Sequence, residues 1–242
     1  YLATPRLRGL LALNVAVAAA GAMVIVNSVV IVRVGLGRPD GDVAVALACH
    51  GFGSMLAALL LPRVLARVPE RTAMIPAALV LGLGLLLIAA GGLVPGDTGQ
   101  GRWPALLGIW FLLGLAYSSI VTPVGRLLRR SAHPEDRPAL FAAQFALSHA
   151  CWLVTYPLAG WAGAELGMTA TASILGALAL GGTAAAAVLW PAGDPSVLDH
   201  VHADLPPDHP HVRGAEPVAG GWRHRHAFVI DRHHPLWPEP GG

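Results

Sequence analysis

The stretch LLALNVAVAAAGAMVIVNSVVIV, residues Leu10–Val32, decides the fold. It runs 23 residues without a charged side chain. A helix rising about 1.5 Å per residue needs about 20 residues to cross a hydrocarbon core of about 30 Å. Five more such runs follow at Val43–Leu61, Ala73–Val94, Trp103–Val124, Ala139–Ala164 and Ala170–Trp190. A soluble domain has no use for six of them. The chain reads as an all-α polytopic membrane protein, a six-transmembrane-helix bundle over residues 1–190.

Composition agrees. Hydrophobic residues make up 55% of the 242, charged residues 12%, and mean hydropathy is +0.59. These figures exclude an ordinary soluble domain. The net charge of +2 does not describe a nucleic-acid patch, because all 16 basic residues are Arg and most lie in loops between the runs. Arg6 and Arg8 precede the first run, Arg63, Arg67 and Arg71 follow the second, and Arg126, Arg129, Arg130 and Arg137 follow the fourth. The opposite loops hold Arg33, Arg38 and Arg102, and nine against three places the first set in the cytoplasm. Six crossings return the C-terminus to that side. Loops this short predict that consecutive spans are antiparallel neighbours. The start at Tyr1 rather than Met suggests a fragment or a processed chain.

Polar groups inside spans are costly and therefore informative. The first span holds Asn14, Asn27 and Ser28; the second holds Cys49 and His50; the fourth holds Tyr117, Ser118, Ser119 and Thr122. In the fifth, Gln144, Ser148, Cys151 and Thr155 recur at spacings of four, three and four, beside a second stripe of His149, Trp152 and Tyr156. Helical geometry puts each stripe on one face. Small polar groups commonly glue helices together, but a long polar and aromatic stripe suggests a water-filled cavity. Two His–Cys pairs on two helices also admit a shared soft-metal site.

Residues Gly51-Phe-Gly-Ser-Met-Leu-Ala-Ala-Leu-Leu-Leu-Pro-Arg63, Arg126-Leu-Leu-Arg-Arg130 and Ala142-Ala-Gln-Phe-Ala-Leu-Ser-His149 resemble spans eight, ten and eleven of a major facilitator superfamily transporter. The resemblance covers about residues 1–190 and implies the C-terminal half of such a protein in a bacterial inner (plasma) membrane. Of that family's loop motif, Gly-x-x-x-Asp-Arg-x-Gly-Arg-Arg, only Arg67 and Arg71 match; Pro62, Ala66, Pro69 and Glu70 replace the rest. The resemblance implies an N-terminal six-span half as partner, an inverted three-plus-three repeat, and a midplane site between the halves reached by alternating access. Cavity residues would then be Asn14, Asn27, His50, Tyr117, Gln144, Ser148, His149, Trp152 and Tyr156. Arg67, Arg71, Arg126 and Arg130 would form the cytoplasmic loops. It implies secondary transport of a small-molecule or ion substrate, with efflux expected, no required cofactor and no enzymatic role. The sequence itself shows no HExxH helix, phosphate loop or nucleophile elbow.

Residues 191–242 change character, being rich in Pro, Gly, Asp and His. Such a segment should be mostly disordered, with one short strand over Arg225–Asp231. Eight of the 11 histidines lie here. His200, His202, His209, His211, His224, His226 and His234, with Asp231, suit a borderline divalent ion such as Ni²⁺, Co²⁺ or Zn²⁺. The tail resembles His-rich tails on some metal-efflux members of the same family. A membrane-anchored metal sensor or chaperone is the alternative function.

Overall fold

The computed structural model describes residues 1–91 and 102–238. The end of the third expected span, residues 92–94, and most of the following loop lie outside them. Six long apolar helices are present. Helix α1 spans Pro5–Val30 and continues through a wider turn, Ile31–Gly35. Then come α2 (Asp40–Leu65), α3 (Glu70–Ala90), α4 (Arg102–Val121), the short α5 (Val124–Arg129), α6 (Arg137–Glu165) and α7 (Gly167–Leu189).

The helices start where helix chemistry allows. Pro5 and Pro138 occupy first-turn positions, where no intrahelical N–H is needed. Pro62, Pro76 and Pro157 sit inside helices, as lipid-embedded helices tolerate when neighbours supply partners for freed backbone groups.

The helix partners follow sequence order only in part: the consecutive spans α3–α4 and α6–α7 touch, but the main partners are not consecutive. Helix α2 packs on α4, α1 on α7 and α6, and α3 on α7 and α4. The α2–α4 crossing shows why. A Cβ added at Gly53 would stand 2.1 Å from the Phe111 carbonyl oxygen, and one at Gly114 would stand 1.9 Å from the His50 carbonyl oxygen. Backbones that close require glycine on both sides, so small residues rather than loop length choose the partner.

The pairings have an internal symmetry. Exchanging α1 with α4, α2 with α6 and α3 with α7 turns the α2–α4 contact into α6–α1 and the α1–α7 contact into α4–α3, and returns α3–α7 to itself. This is a three-plus-three arrangement. Helix α1 is central: 72% of its apolar window is buried, against 11% for α6.

The tail holds more regular structure than its composition predicts. Strands β1 (Val197–His202), β2 (Glu216–Val218) and β3 (Gly221–Ala227) form an antiparallel sheet in the order β1-β3-β2. The expected strand over Arg225–Asp231 therefore begins and ends earlier. Alternation of His and Arg, rather than the apolar Phe-Val-Ile run, carries the pairing. Phe228 and Val229 instead turn inward and are buried.

Candidate functional site

A cavity of roughly 830 Å³ opens between α1, α4, α5 and α6. Of the nine residues expected to line a substrate cavity, Asn14, Tyr117, Gln144, Ser148, His149, Trp152 and Tyr156 line this one. Helical spacing on α6 places the last five there, and Gly21 of α1 makes room. A Cβ on Gly21 would sit 2.1 Å from the Trp152 indole, which lets that ring lie between α1 and the cavity. Trp152 contacts Tyr156 edge-on with centroids 5.0 Å apart, and Tyr117 completes an aromatic wall 6.5 Å from Trp152. Among the described residues the wall carries no carboxylate.

Polar atoms in this cavity fall into two kinds. Some are already satisfied. The Ser148 hydroxyl donates to Phe145 O at 3.0 Å, His149 Nδ1 lies 2.8 Å from the same carbonyl, and Tyr1 Oη donates to Gln144 Oε1. Asn14 differs. It is buried, and its Nδ2 has no hydrogen-bond partner among the described residues. A buried amide donor without a partner is costly.

Two expected cavity residues lie elsewhere. Asn27 is buried and donates through Nδ2 to Ala159 O at 3.3 Å, joining α1 to α6 as glue. His50 packs edge-on against Tyr117, centroids 5.9 Å apart, and does not line the cavity. Thr155 likewise leaves the polar stripe, donating to Ala18 O at 3.2 Å. The two intramembrane His–Cys pairs do not form a metal-binding group. Among the described residues, the only such group of three or more is in the tail.

At one end of the bundle the arginines close a charged layer. Glu70 is buried at the start of α3 and forms ion pairs with Arg126 (Nε at 2.8 Å) and Arg130 (Nη1 at 3.5 Å). Asp194, just past α7, pairs with Arg6 Nε at 2.9 Å and with Arg130, and accepts from Trp190 Nε1 at 3.0 Å. Arg71 donates to the carbonyls of Trp190 and Ala187 at 2.6 and 3.0 Å, capping the last turn of α7. Arg67 is exposed. Sequence reading found Arg71, Arg126 and Arg130 but missed Glu70, Asp194 and Arg6. The signal for Glu70 and Asp194 was an acidic residue flanking a span near an Arg-rich loop; Arg6 was counted only for orientation.

The second cluster is in the tail. Pairing sets His200 opposite His224, Leu198 opposite His226 and His202 opposite Trp222. Period two then puts His200, His202, His224 and His226 on one face. His211, from the turn Pro210–Val212, and His234 complete the group. One ring nitrogen from each of the six lies within 4.8 Å of all the others. Burial first, and the neighbouring imidazoles next, hold His200, His202 and His211 down to about 4. Burial pushes the Asp231 carboxyl up, but hydrogen bonds from the His233 N–H, His133 and His234 outweigh it and hold it at about 2. His209 lies outside the six, its ring 5.1 Å from that of His233.

The model of the Major Facilitator Superfamily matches residues 11–235. No curated protein and no solved structure matches the chain. Six long apolar helices, their three-plus-three pairing and this match lead to one assignment: the chain belongs to the major facilitator superfamily, a family of multi-pass membrane transporters rather than enzymes.

Proposed function

We propose that this chain is the C-terminal half of a secondary active transporter that exports a small, uncharged or weakly polar aromatic solute by alternating access. Its partner is a second six-span bundle facing the α1, α4 and α6 cavity. The observation that carries this reading is the unpartnered Nδ2 of Asn14, set in a cavity walled by Tyr117, Trp152 and Tyr156. A flat solute stacks on such rings and accepts one hydrogen bond from the amide. The wall's lack of carboxylates disfavours a bare cation in this half.

The Arg-rich end is the cytoplasmic one by the positive-inside rule, and the cavity lining includes Val124, Gly125 and Leu128 from the short α5 near that end. That suits loading from the cytoplasm of a bacterial cell. Export of a metal ion is the second reading, favoured only by the tail histidines. One experiment separates the two. Cells with and without the full protein are loaded with the aromatic dye Hoechst 33342 or with radiolabelled Ni²⁺. Faster dye loss that Asn14→Leu cuts about tenfold supports the first reading. Ni²⁺ loss with dye unaffected replaces it with the second.

A further inference from the structure

We propose that the tail is a receptor for a six-coordinate divalent transition-metal ion, Ni²⁺ or Co²⁺, bound by His200, His202, His211, His224, His226 and His234, with Asp231 tying the loaded site to the turn before α6.

The ring contacts carry the geometry. Six rings make fifteen pairs. Twelve of these lie 4.6–5.1 Å apart, centroid to centroid. Among the described residues the three pairs without ring contact are His200 with His211, His202 with His226, and His224 with His234. Those three pairs share no member. Twelve adjacent pairs and three disjoint opposite pairs are the edges and axes of an octahedron.

The nitrogen separations agree with this shape. A metal–imidazole bond of about 2.1 Å places adjacent donors of an octahedron about 3.0 Å apart. Nε2 of His200 lies 3.1 Å from that of His202 and 2.9 Å from that of His234, while His211 Nε2 lies 3.2 and 3.3 Å from the same two. All four are adjacent pairs in the octahedron above. Independently, the buried Nε2 atoms of His224 and His226 have no hydrogen-bond partner among the described residues.

Six imidazoles define the ion's class. Imidazole suits borderline first-row metals, and affinity rises from Mn²⁺ through Co²⁺ to Ni²⁺. Zn²⁺ prefers four ligands, so a fixed set of six favours Ni²⁺ and Co²⁺ over it. No ligand carries charge, so the ion keeps its two positive charges and the acidic groups around it matter. Asp231 Oδ1 lies 2.9 Å from His234 Nδ1, which turns Nε2 of that ring inward. A carboxylate behind a ligating imidazole fixes its tautomer and strengthens it as a donor. Asp231 Oδ2 lies 3.1 Å from Nε2 of His133, on the turn between α5 and α6. Asp231 is thus a positioning residue with one oxygen on the receptor and the other on the bundle.

The test uses the full chain in lipid nanodiscs, stripped of metal and given no gradient, so its result is independent of any transport. Co²⁺ should bind at one ion per chain with the weak d–d bands of six-coordination. X-ray absorption on the Ni²⁺ form should show one nitrogen shell at about 2.1 Å. Intense tetrahedral bands, or no binding at micromolar metal, would overturn the proposal. His209→Ala with His233→Ala, outside the six, should leave the spectrum as it is; a lost shell there would count against the assignment. Asp231→Asn should keep six nitrogens but weaken binding about tenfold, with Asp231→Glu recovering part of it. Ni²⁺ should slow hydrogen exchange over residues 131–136 in the native chain and not in Asp231→Asn. Equal slowing in both would remove the tether.

Discussion

The histidines of the membrane and those of the tail share a side chain and little else. His149 turns Nδ1 back to Phe145 O of its own helix and stacks on the Phe145 ring, centroids 3.9 Å apart; His50 leans on Tyr117. In the tail, by contrast, six imidazoles point their nitrogens at one another. A helix spreads neighbouring histidines around a cylinder, whereas an antiparallel pair of strands lines up alternate residues on a single face. Backbone geometry, more than residue type, decides which histidines converge.

The largest effect should come from the joint between the two regions. Arg6 is fully buried, and Asp194 is its counter-charge. Asp194→Ala should cost about 3–5 kcal/mol of bundle stability, since it strands a buried charge. Thermal unfolding in detergent measures this, and an unchanged midpoint would make the tail root a mere appendage. Next comes the contrast itself. His226→Ala should weaken Ni²⁺ binding at least about tenfold, or about 1.4 kcal/mol, while His149→Ala leaves that binding alone. Equal losses by titration would erase the distinction between the regions.

A third pair asks the same question of two asparagines. Asn14→Leu should cut dye transport about tenfold, the worth of one hydrogen bond made to the solute, with little change in melting. Asn27→Leu should instead lower stability by about 1 kcal/mol, because the Ala159 carbonyl, already bonded within α6, loses its second donor and with it the α1–α6 link. Smallest of all is His50→Ala. Its ring makes an edge contact without a hydrogen bond to a cavity group, so transport should change by less than about twofold, in line with a contact worth under about a kcal/mol.

These contrasts also show how far the chain could be read unaided. Six spans were legible because hydrocarbon thickness imposes one length on every crossing helix. Gln144, Ser148, His149, Trp152 and Tyr156 share one face of α6 because helical spacing fixes that face, whereas Asn14 and Tyr117 were expected from the family resemblance. Asn27 and His50 do not line the described cavity, because periodicity gives a face without naming what it meets. The α2–α4 pairing depended on Gly53 and Gly114 approaching carbonyls across the gap, a contact that becomes visible only in three dimensions. In the tail, composition predicted disorder, yet His-x-His repeats on β1 and β3 paired in register. Arg6, Glu70 and Asp194 looked like ordinary flanking charges until the fold joined them.

The root of the tail bears on how the protein should be cut. Asp194 lies four residues beyond Trp190 and holds Arg6 of the first helix and Arg130 beside the fifth. A truncation placed at the end of α7, the natural choice from hydropathy, removes that carboxylate along with the histidines. Any defect it produced would then be blamed on the wrong part. Ending the chain after Pro195, whose carbonyl also accepts from Arg6 at 3.3 Å, spares the ion pair. Only the cut after Pro195 isolates what the histidines do.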